Sequence, residues 1–200
     1  HKRKRRLLPL CMTRRILAGA ILVILAITVF FEWRAGRTFL GPDGRLGFGT
    51  SDIWSSACSQ RLLDPYSFSH ICHGFIFYFL LWLVARWTPL GWRYSAALAL
   101  EAGWEILENS PIIIERYRQA TIAIGYSGDS ILNSMSDILM MSLGFCLAWK
   151  LRPWTVVVLF LATEIGCAVW LRDNLSLNVV MLLKPVPAIK KWQEQGRQGK

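Results

Sequence analysis

The chain has 200 residues, of which 54% are hydrophobic and 18% charged, with a formal net charge of +10. A soluble domain of this size cannot hide that much apolar side chain, so the composition points to an all-α membrane protein, a multi-pass bundle of about five transmembrane helices. The positive charge sits in short clusters beside apolar runs, as orientation signals do, which excludes nucleic acid and leaves the lipid bilayer as the expected partner.

Residues 1–15 form a basic segment with Lys2, Arg3, Lys4, Arg5, Arg6, Arg14 and Arg15 and no acid, expected in the cytoplasm. The apolar run 16–31 is long enough to span when flanking residues help. No small-x-small cleavage site follows Phe31, so the run reads as an uncleaved first span. Residues 32–68 are rich in glycine and turn formers, and their arginines and acids cancel, as expected of an outer loop. The second span is expected at 70–87 and the third at 94–109, ended by Pro111. A second outer loop covers 110–128, the fourth span 129–151 and the fifth 154–170. Trp87 and Trp92 bracket one inner turn, and Trp149 and Trp154 the other, in the manner of interfacial belts. The stretch 175–183 is too short for a sixth span and is expected to be re-entrant or to lie along the surface. The chain therefore divides into a single transmembrane domain, 16–183, and a basic tail, 184–200, whose side of the membrane stays open. The five cysteines, Cys11, Cys58, Cys72, Cys146 and Cys167, are scattered and form neither a disulfide framework nor a zinc ribbon.

Ionisable residues inside these spans are the functional signal, because each costs roughly 2.5–3.5 kcal/mol at mid-bilayer. His70 and His73 are spaced i, i+3 on the second span, and Glu101, Glu105 and Glu108 form a stripe on the third. Asp129, Asn133 and Asp137 form a stripe on the fourth. Counting about 1.5 Å per residue places His70, Glu108 and Asp129 in an outer layer. His73, Glu105 and Asn133 fall about one turn deeper, with Glu101 and Asp137 deeper still. Three helices thus build one polar pocket that opens outward.

Two imidazoles and several carboxylates are a ligand set for a divalent metal ion such as zinc, manganese or iron. The candidate ligands are His70, His73, Glu105, Glu108, Asp129 and Asp137, with Glu101 or Glu105 moving a proton. Asn109, Ser130 and Asn133 belong to the same polar pocket, and Arg116 is placed to cover its mouth or to grip an anionic headgroup. The function this suggests is a metal-assisted hydrolase or transferase acting on a lipid or lipid-linked substrate. Two alternatives stay open: a structural or accessory subunit with a polar helix–helix network, and a proton- or ion-coupled path. Trp104 and Tyr117 read as packing or interface aromatics, Glu164 as a lone acid in the fifth span, and Gly74 and Gly103 as points of close helix approach.

Several stretches carry a resemblance: Ser-Phe-Ser-His-Ile-Cys-His-Gly-Phe (67–75), Glu-Ala-Gly-Trp-Glu-Ile-Leu-Glu-Asn-Ser-Pro (101–111) and Tyr-Ser-Gly-Asp-Ser-Ile-Leu-Asn-Ser-Met-Ser-Asp (126–137). Ile-Ile-Glu-Arg-Tyr-Arg (113–118) and Arg-Asp-Asn-Leu-Ser-Leu-Asn-Val-Val-Met-Leu (172–182) extend it. They resemble a bacterial inner-membrane family known as domain of unknown function 2585, over most of residues 55–195. The resemblance implies a multi-pass protein of the bacterial plasma membrane and brings no activity or catalytic residue with it. Arg61 follows Gln60 where the family tends to carry a histidine, so the outer loop adds no third imidazole. Asp129-x-x-x-Asn133 is also similar, more loosely, to a helix of small VanZ-like membrane proteins.

Overall fold

A computed structural model describes residues 2–123 and 125–196, without side chains for 2–13. The basic side chains of Lys2 to Arg6, and Arg197 and Lys200 of the tail, lie outside the described residues. Eight helices follow in order: α1 (Lys2–Arg34), α2 (Ser67–Ala85), α3 (Leu90–Glu108), α4 (Pro111–Ala120), α5 (Ile131–Lys150), α6 (Pro153–Leu171), α7 (Leu175–Leu183) and α8 (Pro187–Glu194). Among the described residues there is no strand, only an isolated bridge between Gly49 and Leu63. Among the described residues, four helices are long and apolar enough to cross a membrane: α1 from Arg14 to Arg34, α2, α5 and α6. The third predicted span is α3, which at 19 residues is as long as α2 and packs against α1, α2 and α5. Its glutamate stripe and Arg93 are what lower its apolar character. The chain is an all-α, multi-pass bundle of about five long helices.

The closest helix pair is α2 with α5. A Cβ on Gly74 would collide with the carbonyl oxygen of Met141, and one on Gly144 with that of Ile71, so only glycine lets these backbones touch. Gly103 has no such neighbour within 4 Å, so it mediates no close approach. One half of the bundle is sealed by Ala97, Leu98 and Ala102 of α3 against Ile138, Met141 and Phe145 of α5. Leu22, Phe79, Val84, Val157 and Val169 are exposed on the outer faces, where a bilayer would cover them.

The two ends of the bundle differ. One carries the short turns between α2 and α3 and between α5 and α6, with Arg86, Arg93, Lys150 and Arg152. The other carries residues 35–66, α4, α7 and α8. The long loop is ordered because it terminates α5. Ser130 N donates to Ser59 O, Ile131 N to Thr38 O and Leu132 N to Phe39 O, while the Ser130 side chain receives Asn133 N. Every amide that would be orphaned in that first turn is thereby satisfied. Asp64 does the same for α2, accepting from Tyr66 N and Ser67 N, while the Ser67 hydroxyl accepts from Asp64 N.

The tail folds back at this loop end rather than at the turn end. Glu164, read from sequence as a lone acid, receives Leu175 N and Ser176 N at 3.0 Å each and so anchors the start of α7. Asn174 caps the same helix through Leu177 N. At its other end, Arg116 donates to the carbonyls of Leu182 and Leu183.

Candidate functional site

The histidines, acids and loop residues surround a cavity of about 410 Å³ at the loop end of α2, α3 and α5. Its deep layer is an imidazole–carboxylate cluster. Glu101, 0% exposed, accepts from His70 Nδ1 at 2.6 Å and lies 3.0 Å from His73 Nδ1. Glu105, one turn along α3, is also 0% exposed and stands 3.5 Å from His70 Nδ1. Asp137 of α5 stands 3.9 Å from His70 Nε2 and receives the Ser67 hydroxyl at 3.4 Å. Single ligand atoms of His70, His73 and Glu101, and of His70, Glu105 and Asp137, fall within 4.8 Å of one another in each set, close enough to hold a metal ion.

The helical spacing brings these residues together, but the register differs from the predicted layers. His70 faces Glu101 rather than Glu108. The cause lies before α2: Asp64 and Tyr66 are drawn into the bundle, so the helix starts three residues earlier and His70 sits nearly a turn inside it. Asp129 departs from its stripe altogether. Ser130 is the N-cap of α5 and Gly128 adopts φ 90°, so Asp129 belongs to the turn before the helix. That placement also separates it from the helical Asp-x-x-x-Asn pattern shared with VanZ-like proteins.

The outer layer is built around Asp129. It accepts from Tyr126 OH at 3.0 Å and Asn109 Nδ2 at 3.2 Å, and its own amide donates to Asn109 Oδ1 at 2.7 Å. Burial pushes its carboxyl up to about 6 despite the Tyr126 bond, which acts the other way. Glu108 is half-buried, with Tyr117 near enough to feel its charge. Burial, then the charge of Glu108, raises the Tyr117 phenol well above its usual value.

Other candidate residues sit behind or beside the cavity. Asn133 lines it but spends its amide on Arg61 O at 2.9 Å. Ser130 is fully buried and engaged in capping α5. Arg116 binds the end of α7, as described, and does not reach the lining.

Three contributors were not anticipated from sequence: Tyr66 and Tyr126 from loops, and α7, whose Asn178, Val179 and Leu182 form one wall. Trp104 and Tyr117 also line the cavity rather than only packing. The α7 wall is tied down through Asp173. It accepts from Tyr66 OH at 3.2 Å, Asn174 N at 2.9 Å and Gln193 Nε2 at 3.0 Å, the last linking α8 to the rim.

Burial outweighs those three donors and raises the Asp173 carboxyl from 3.8 to about 6. Such a group stabilises the fold fully below 3.8, and that contribution is lost as pH rises through about 6. Amide-exchange protection of α7 and α8, corrected for intrinsic rates, should therefore fall between roughly pH 5 and pH 7.5. In Asp173→Asn it should stay flat across that interval. An unchanged pH slope in the variant would show that another group governs the docking.

Residues 32–195 match the family described as "Protein of unknown function (DUF2585)". A UPF0314 protein of Agrobacterium fabrum is 55% identical over 175 residues, covering 88% of each chain. One of Sphingopyxis alaskensis is 46% identical over 185 residues, covering 90% of this chain and 95% of the relative. One of Paracoccus denitrificans is 45% identical over 176 residues, covering 88% and 90%. No solved structure matches the chain. The match spans both polar layers and the α7 wall, and with relatives of this identity the chain belongs to the DUF2585 family.

Proposed function

We propose that this protein is a membrane-embedded, metal-assisted hydrolase or transferase acting on a lipid or lipid-linked substrate. The reading is carried by Glu105. Both of its oxygens are buried and neither receives a hydrogen bond. An ionised carboxylate in that position needs a cation, and the groups converging on it are metal ligands.

The distances support a division of roles. Two ligands of one tetrahedral ion with bonds of about 2.1 Å stand about 3.4 Å apart. The 2.6 Å contact between His70 and Glu101 is too short for that and is a hydrogen bond. His70, Glu105 and Asp137 are then the residues that hold the ion, while Glu101 fixes the tautomers of both imidazoles from behind. His73 lines the cavity with Glu101 at its back, an arrangement suited to moving a proton to or from the substrate. The ion would acidify a water and polarise the bond to be cleaved.

The structural alternative explains the Glu101–His70–His73 trio, which ties α2 to α3 without an ion. It leaves both Glu105 oxygens without a hydrogen bond, with only the His70 ring at 3.5 Å beside them. An ion path fares worse, because Leu98, Met141 and Phe145 seal the bundle toward the turn end.

The site faces the non-cytoplasmic side of a bacterial inner membrane in this proposal, with the N-terminus in the cytoplasm. Support comes from Arg86, Arg93, Lys150 and Arg152 at the turn end, as the positive-inside rule expects. Elemental analysis of protein purified in mild detergent tests the metal. Near-stoichiometric zinc, manganese or iron is expected in the wild type, with a loss of at least about tenfold in affinity for Glu105→Gln. Metal-free wild-type protein after growth in metal-replete medium would overturn the reading.

A further inference from the structure

We propose that the outer layer of the cavity is a subsite for the head of an amine-bearing lipid, one with a protonated or quaternary ammonium group. The proposal rests on the reading of this cavity as the substrate site, and it names the substrate class.

Charge comes first. Asp64, Glu108, Asp129 and Asp137 line the cavity, with Glu101 and Glu105 directly behind, and no lysine or arginine lines it. Among the described residues, none of these six acids forms an ion pair with lysine or arginine; their only charged-type partners are the two histidines. Neutral donors satisfy two of the outer acids: the Tyr126 hydroxyl for Asp129 and backbone amides for Asp64. A divalent ion in the deep layer would offset the charge there and leave Asp129 and Asp64 as the acidic groups of the outer layer. Such a cavity repels a phosphate or carboxylate head and attracts a cation.

Aromatic geometry gives a second, independent indication. Tyr66, Tyr117, Tyr126 and Trp104 all line the cavity, and the Tyr117 and Tyr126 rings meet edge to face at 5.2 Å between centroids. Aromatic rings beside carboxylates are how proteins hold ammonium groups that cannot be satisfied by hydrogen bonds alone.

The route of entry identifies the ligand as a lipid rather than a free amine. The cavity is flanked by Leu100 and Leu107 of α3 and Val179 of α7, which are 53%, 48% and 45% exposed. α7 rests mainly on α4, so this flank is open to the side, where a bilayer would press acyl chains against it. An alkyl tail can lie along Leu100, Leu107 and Val179 while its head reaches the tyrosines.

Native mass spectrometry of the full protein in neutral maltoside micelles provides the test. The probes are dodecyltrimethylammonium and dodecyl phosphate, each below its micellar concentration, and tetramethylammonium. The expected result is at least about tenfold preference for the dodecyl ammonium over the dodecyl phosphate, and weak binding of the tail-less ion. Glu108→Gln should lose about tenfold for the ammonium amphiphile while its metal content matches the wild type. Should Glu108→Gln fold poorly, Trp104→Ala serves the same comparison. Equal binding of both amphiphiles, or preference for the phosphate, overturns the proposal. Strong binding of tetramethylammonium alone overturns the lipid assignment. Because these readouts need no bound metal, an ammonium preference in metal-free protein would keep this subsite while removing the metal reading.

Discussion

Gly74→Ala should cost about 3 kcal/mol of stability, the upper end for overpacking by a single methyl. The added carbon would overlap not a movable side chain but the backbone of α5, at the Met141 carbonyl and the Phe145 amide. Relief requires α2 to back away from α5. That movement would also carry His70 away from Asp137, so loss of stability and loss of the deep cluster should come together. Gly103→Ala is the matched control: it is helical, has nothing within 4 Å, and should gain up to about 1 kcal/mol from helix propensity. Thermal melting of detergent-solubilised protein, followed by size exclusion, distinguishes the two. Equal tolerance at both positions would mean that the α2–α5 contact is looser than described.

That pair of glycines also illustrates what could be read in advance. Both sit beside polar residues in apolar runs, and sequence does not say which has a backbone opposite. The same limit runs through the site. The periodicity of Glu101 and Glu105 put both on one face of α3, and the i, i+3 spacing of the histidines held, because helical geometry alone decides such relations. Their level relative to each other did not follow, because it depends on Asp64 and Tyr66 entering the bundle ahead of α2. Asp129 was misplaced onto a helix because an Asp followed by Ser leaves the N-cap ambiguous by one residue. The α7 wall was the least legible element. Nothing in the short run 175–183 signals that Glu164, eleven residues upstream of Leu175, supplies the acceptor for its first amides. Tyrosines 66, 117 and 126 share no spacing at all and converge only through the loops.

Glu101 and Glu105 are neighbours on one helical face, both fully buried, yet their replacement by leucine should act in opposite directions. Glu101 is paired with both imidazoles, so Glu101→Leu strands a ring nitrogen of buried His70 and one of half-buried His73 and should destabilise metal-free protein by about 3–5 kcal/mol. Glu105 receives no hydrogen bond and has only the His70 ring at 3.5 Å beside it, so Glu105→Leu removes a poorly compensated buried group at similar volume and should stabilise metal-free protein by about 1–4 kcal/mol. The same Glu105→Leu protein should bind no metal and lack activity, the usual relation when a strained group is retained for function. Unfolding in the presence of chelator, wild type beside each variant, measures both signs at once. If Glu105→Leu instead loses as much stability as Glu101→Leu, Glu105 is a member of the helix-binding network, and the accessory-subunit reading replaces the enzyme. If it gains stability, the bundle is carrying a costly carboxylate that packing does not need, as the metal-holding reading of Glu105 expects.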